Sequence, residues 1–258
     1  MESKPIKTVD CLNCDSANLA GGHFCSHCGQ RLDLPRITFL DIIQDLLSSE
    51  FNWDAPYLKT TREVFLRPGA TVRKIIGGKR KQYYAPIRFL VISMLINIII
   101  SKVIGFDPIE NQKLISGSSE TPENVNFGYQ IGQFLAKHLN IFVLIFPFTI
   151  AFFSKLFFWK ARFNLAERTV FGFYLSGLYV LISLIPVLLT LVNPQLINLS
   201  ILFNIAFNTF AFHQFHQSKR KVLSVFKSLL AAAFSLFSYF FVAAIISWII
   251  MMQFNLFT

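Results

Sequence analysis

The stretch TVFGFYLSGLYVLISLIPVLLTLVNPQLINLSILFNIAFNTFAFHQFHQS, residues 169–218, holds 50 consecutive positions without Asp, Glu, Lys or Arg. An ionised side chain at the centre of a bilayer costs roughly 2.5–3.5 kcal/mol, so charge-free runs of this length mark hydrocarbon. One spanning helix needs about 20 residues, and this run is long enough for two. Asn193-Pro194 divides it, because proline lacks a helix donor and restricts the residue before it. The expected spans are 169–192 and 195–212.

Outward from that run, residues 228–258 are uncharged over 31 positions and predict a span at 228–252. Residues 138–154 give 17 uncharged positions, extended to 139–159 when Lys155 snorkels its ammonium to the interface. Residues 87–104 are the shortest case. Their uncharged part, 89–101, has 13 residues, includes Ser93 and Asn97, and requires Lys102 to snorkel. The total is five spans. Composition agrees: 53% hydrophobic against 15% charged residues, with 30 phenylalanines, is too apolar for one soluble domain of 258 residues. The expected fold is an all-α polytopic membrane protein of about five transmembrane helices behind a small N-terminal head.

The 24 basic residues, against 14 acidic, first report topology in such a chain. Arg73, Lys74, Lys79, Arg80, Lys81 and Arg88 precede the first span. Lys155, Lys160, Arg162 and Arg168 follow the second, and Lys219, Arg220, Lys221 and Lys227 follow the fourth. The opposite side sets three bases, Lys102, Lys113 and Lys137, against Asp107, Glu110, Glu120 and Glu123, and has an uncharged turn at Asn193. The positive-inside bias places the N-terminus in the cytoplasm and the C-terminus outside. The first 36 residues lack an apolar core, so the first span is expected to direct insertion.

Cys11-Leu12-Asn13-Cys14 and Cys25-Ser26-His27-Cys28 are two C-x-x-C knuckles at zinc-ribbon distance, within a head spanning residues 1–36. Each knuckle sets two thiolates on one turn, and two turns close a tetrahedral site suited to zinc. Gly29 gives the second turn its backbone freedom. Four thiolates leave no open position for water or substrate, so a structural zinc is expected, with iron as the other metal the donors accept. His23 and His27 are expected outside the ligand set. Lys4, Lys7, Arg31 and Arg36 are balanced by Glu2, Asp10, Asp15 and Asp33. Phosphate is not drawn to such a head, which argues against nucleic acid and for a protein contact.

Residues 37–86 form a connecting region. Thr38 and Asp41 have capping-box spacing, and Phe39, Ile43, Leu46, Leu47 and Phe51 fall near one helical face. That face suits either packing on the protein or an in-plane position in the membrane. A second helix is expected from Asp54-Ala55-Pro56 to Arg67-Pro68-Gly69, and a third after Thr71. Gly77-Gly78-Lys79-Arg80-Lys81 is no phosphate loop, since Arg73 and Arg80 stand where that motif needs Gly and Ser or Thr. It suits a juxtamembrane basic turn with Tyr83 and Tyr84 at the headgroups. The functional alternative is an anionic-lipid contact through Lys79, Arg80 and Lys81.

The two knuckles, Phe51-Asn52-Trp53-Asp54, Arg67-Pro68-Gly69, Gly78-Lys79-Arg80 and Tyr84-Ala85-Pro86 together resemble a bacterial family of uncharacterised zinc-ribbon membrane proteins, catalogued as a domain of unknown function. The resemblance covers about the first 100 residues. It implies a cytoplasmic ribbon ahead of a polytopic region in the inner membrane, and it implies no activity.

Within residues 87–258, Asn204 and Asn208 lie one turn apart on the fourth span and mark a polar intramembrane site, suited to interhelical packing or to a solute path. His213 and His216 share spacing at the end of that span, but no acidic residue or cysteine completes a metal site nearby. No catalytic constellation is visible. The expected role is therefore a non-enzymatic docking or assembly protein whose ribbon meets a cytoplasmic or membrane partner. Transport of a small or lipidic solute is the alternative.

Overall fold

The computed structural model describes residues 8–47, 56–116, 127–218 and 220–253. Of the residues singled out above, Glu2, Lys4, Lys7, 51–55, Glu120, Glu123 and Lys219 lie outside them. Among the described residues, five helices are long and apolar enough to cross a membrane: Pro86–Val103, Leu139–Phe157, Leu165–Leu189, Pro194–His216 and Lys221–Gln253. They are called the first to fifth spans below. Short helices at Pro108–Ser116 and Phe127–Lys137 lie between the first two.

The third span begins at Leu165, earlier than its uncharged run, because Asn164 caps it. The Asn164 side chain accepts from the Glu167 backbone while the Glu167 carboxylate accepts from the Asn164 backbone. Glu167 and Arg168 are thereby drawn inside the protein. The fifth span also runs further back, to Lys221, since Lys221 and Lys227 fit a helix that emerges beyond the apolar zone. Both internal prolines interrupt their helices. A 3-10 turn at Val143–Ile145 precedes Pro147, and the third span breaks at Ser183 ahead of Pro186.

The third span occupies the middle of the bundle, and its ribbon-side half is buried continuously from Ala166 to Leu178. Packing against it is close because small residues face the neighbours. A Cβ at Gly172 would overlap the backbone of Pro147 on the second span, and one at Gly177 would press on Phe89 and Leu90 of the first. Lipid tails are as apolar as these side chains, so van der Waals fit, rather than escape from water, holds such contacts. Asn97 adds an interhelical bond, donating to Val180 O at 2.8 Å and Ser183 Oγ at 3.2 Å. Phe171 stacks on Phe215, and Phe146 meets both Tyr179 and Tyr239, joining the third, fourth, second and fifth spans.

Three short helices occupy the side of the cysteine head: α1 (Phe39–Leu47), α2 (Pro56–Leu66) and α3 (Pro68–Ile76). Thr38 and Asp41 form the expected reciprocal cap of α1. Ile42 of α1 is buried while Leu40 and Ile43 remain exposed. Tyr83 and Tyr84 are buried under α2 rather than displayed at a surface. The Tyr83 hydroxyl donates to Glu63 at 2.6 Å, the Tyr84 amide donates to Thr60 Oγ1, and the Tyr84 carbonyl accepts from Tyr174 of the third span at 2.5 Å. Burial, with the Glu63 carboxylate beside it, pushes the Tyr83 phenol above its ordinary range.

Gly172→Ala is expected to lower stability by about 1–3 kcal/mol, because rigid backbone stands where the methyl must go. The readout is the thermal unfolding temperature in detergent. Gly132→Ala, whose added Cβ meets nothing within 4 Å, is expected not to lower it.

Candidate metal centre and its anchorage

Strands β1 (Thr8–Asp10) and β2 (Ala17–Leu19) pair antiparallel, with Val9 opposite Asn18, and bring the two knuckles together. Each knuckle closes in the same way. The amide of Asp15 donates to Cys11 O at 2.9 Å and that of Gly29 to Cys25 O at 2.8 Å. Both closing residues are left-handed, at φ 58° and 66°. Glycine was the expected choice; aspartate is one of the few side chains that tolerates the same region.

The four sulfur atoms lie within 4.8 Å of one another. Cys11 Sγ is 3.7 Å from Cys28 Sγ, and Cys14 Sγ is 3.6 Å from Cys25 Sγ. A tetrahedron of sulfur atoms about 2.3 Å from a central ion has edges of about 3.8 Å, so these donors fit one tetrahedral metal. Ser16 Oγ lies 2.9 Å from Cys14 Sγ and 3.4 Å from Cys25 Sγ, and Asn18 Nδ2 donates to Cys25 Sγ at 3.5 Å. The Ser16 hydroxyl is the main reason the Cys25 thiol falls to about 5 and the Cys14 thiol also falls. Burial instead pushes Cys11 up to about 11. A bound cation reverses that last effect, since a coordinating thiol gives up its proton. His23 and His27 do not join the cluster.

The second knuckle is seated on the basic loop. Gln30, which is buried, donates through Nε2 to Gly78 O at 2.7 Å and accepts at Oε1 from the amides of Arg80 and Lys81, each at 3.1 Å. Lys79 pairs with Asp15 at 3.3 Å, and Arg80 donates to Pro35 O at 3.0 Å. Gly78, at φ 115°, is crossed by Leu12, which a Cβ there would strike. The loop singled out as a lipid contact thus supplies its backbone, Lys79 and Arg80 to the head. A second anchor lies at Arg36, whose guanidinium makes a two-pronged contact with Glu167 at 3.0 and 2.8 Å. Asn164 donates to Ile37 O beside it. The sequence reading missed this anchor, although the Asn164-x-x-Glu167 spacing is a capping-box signal that could have placed the helix start there. Gln30 gave no signal, because a lone glutamine after a knuckle is ordinary.

Two arginines of the basic segments act as helix caps. Arg168, 1% exposed, donates to Phe163 O, Ser154 O, Ser154 Oγ, Phe158 O and Ala161 O at 2.6–3.1 Å. These acceptors lie where the second span ends: Ser154 O and Phe158 O each also accept a backbone amide and offer Arg168 their second lone pair, and Ala161 O lies just beyond. Arg73 of α3 donates to Gln214 O and Phe215 O at the end of the fourth span, and Gly69 lets α3 approach that backbone. His213 and His216 diverge. His213 Nδ1 lies 3.1 Å from Ser224 Oγ, whereas His216 is stacked on Phe158 with its Nε2 3.1 Å from Ser154 Oγ. Asn204 and Asn208 are both 1% exposed, and Asn208 Nδ2 donates to Asn204 Oδ1 at 2.9 Å.

Arg168→Lys is expected to destabilise the bundle by about 1–3 kcal/mol, because an ammonium with three donors cannot serve five acceptors. Gln30→Ala leaves the Lys81 amide without its acceptor and leaves Gly78 O and the Arg80 amide only their bond to each other, which unties the second knuckle from the loop. Faster hydrogen exchange confined to residues 77–81 and the knuckles, with the spans unchanged, is the expected outcome.

Residues 54–97 match the family model described as Protein of unknown function (DUF3667). That stretch carries α2, α3, the basic loop and most of the first span, and it begins after the cysteine head. No curated protein and no solved structure matches the chain. The match supports an uncharacterised family, and the apolar helices fit a membrane protein of unknown activity.

Proposed function

We propose that this chain is a non-enzymatic protein of the bacterial inner membrane in which a structural zinc closes the cysteine head and the head serves as a docking module for a protein partner. The observation carrying this reading is the rigid seating of the head. Its metal donors form a closed tetrahedron, Gln30 and Arg36 fix it to the bundle, and Val9, Leu19 and Phe24 stay exposed on it. A domain this small has little core of its own, so exposed apolar side chains on a held platform favour a protein contact. Zinc is the metal of choice because four thiolates at tetrahedral spacing suit a d10 ion. Lys155, Lys160, Arg162 and Lys221 belong to segments at the same end as the head, which supports a cytoplasmic N-terminus and an outside C-terminus.

A second reading, passage of a solute, has one specific observation in its favour. Asn204 Nδ2, Asn208 Oδ1, Ser176 Oγ and Ser228 Oγ are buried in the spans without a hydrogen-bond partner among the described residues. Flux in vesicles that disappears in Asn208→Leu supports it, and absence of flux for any polar solute tried with the native protein removes it.

Purified protein is expected to hold one zinc per chain, and Cys11→Ser or Cys25→Ser to lose it. A photo-crosslinker at Phe24 in native membranes should capture one partner, lost when Leu19→Ser is added or zinc is chelated. Capture that is unchanged by either treatment would contradict the docking role.

A further inference from the structure

With the basic loop engaged by the head, the cations available to a ligand lie one element earlier. α2 and α3 enclose a cleft of about 630 Å³. Lys59, Arg62, Arg67 and Lys74 stand around it, with Leu58 and Leu66 beside them. The one carboxylate present, Glu63, already accepts from Tyr83 and lies 3.9 Å from Lys74. Lys59 donates to the neutral Gln82 at 2.7 Å and sits over the Tyr83 ring, so no carboxylate cancels it. Arg62 and Arg67 are exposed and form no ion pair among the described residues. Four cations therefore face one carboxylate that is largely occupied.

The depth of α2 says what kind of anion fits. Tyr57 at its start bonds Ser93 at 3.0 Å, seven residues or roughly 10 Å into the first span. Phe65 near its end stacks on Phe207, nine residues or roughly 13 Å from the ribbon-side end of the fourth span. Thus α2 lies against the flank of the bundle: its aromatic side chains reach down past the span ends, while Lys59 is held at Gln82 and Tyr83, ahead of the first span, on the headgroup side. There Leu58, Phe65 and Leu66 are exposed, Leu58 at 76%. An apolar ledge beneath a ring of cations matches an amphiphile with a phosphate at its polar end. A soluble phosphate uses the cations and has no use for the ledge.

We propose that the α2–α3 cleft binds the phosphate headgroup of an anionic phospholipid, with Arg62 and Arg67 as its principal donors and Leu58 and Leu66 against its acyl chain. Guanidinium groups suit this role because their forked donors match phosphate oxygens. The site is independent of the metal: it uses neither the head nor the loop.

The test uses the full chain in detergent, with native mass spectrometry to count bound dioleoyl phosphatidylglycerol or dioleoyl phosphatidylcholine. Phosphatidylglycerol is expected to be retained in preference. Arg62→Gln/Arg67→Gln should weaken that retention roughly ten- to thirtyfold at unchanged helicity, at about a tenfold loss for each 1.4 kcal/mol. Arg62→Lys/Arg67→Lys should keep a larger part of it, because charge remains while the fork is lost. Lys79→Gln/Lys81→Gln and Cys25→Ser should leave it intact, so a failed zinc reading and a failed lipid reading give different results. Equal retention of the two lipids, or equal retention by the Arg62→Gln/Arg67→Gln protein, overturns the proposal. Complete displacement by millimolar inorganic phosphate overturns it too, in favour of a soluble ligand.

Discussion

A backbone carbonyl that ends a helix beside hydrocarbon has no water to turn to, and the structure is organised by how that need is met. The second span ends on Arg168, and the fourth ends on Arg73. Because Arg168 belongs to the third span, its bonds fix where the second helix stops relative to the third. Because Arg73 belongs to α3, its bonds tie the connecting region to the fourth. Removing Arg73 leaves the carbonyls of Gln214 and Phe215 to lipid that cannot replace it, while a shortened helix merely moves the problem inward. The close contacts at Gly172 and Gly177 bring the second and first spans onto the third.

The cysteine head obeys the same rule with a different device. It cannot fill a hydrophobic core, so the sulfur cluster and the side chains around it supply its order. One glutamine amide then serves a carbonyl and two amides of the loop: it is the acceptor for the Lys81 amide, and it adds a partner to the Gly78 carbonyl and the Arg80 amide, which also bond each other. Arg36 adds charge to the start of the third span through the same carboxylate that caps it, so capping and anchorage share one group.

Much of this was legible in the chain. The spans were, because electrostatic cost in hydrocarbon is a local property that uncharged runs display directly. The convergence of the four cysteine sulfurs was, because knuckle spacing encodes a turn. What escaped was decided by tertiary partners. Arg168 counts as a loop charge in any tally of bases, yet folds inward because the carbonyls of 154–161 await it. Tyr83 and Tyr84 have the composition of a headgroup belt and are instead covered by α2. Lys79, Arg80 and Lys81 form a basic run, but their backbone amides and Asp15 bind them to the head, which no spacing rule announces. Asn204 and Asn208 were visible as a pair; that two of their polar atoms lack partners depends on the helices around them.

The contact between Arg36 and Glu167 has a consequence for the order of assembly. The two residues are 131 positions apart in the chain. A ribosome releases the cysteine head long before it has made the helix start that anchors it, with two complete membrane crossings in between. The nascent head can settle on the 77–81 loop early, but its second attachment waits until the third crossing begins. Final closure of the head therefore records that at least this much of the membrane domain has been synthesised and inserted.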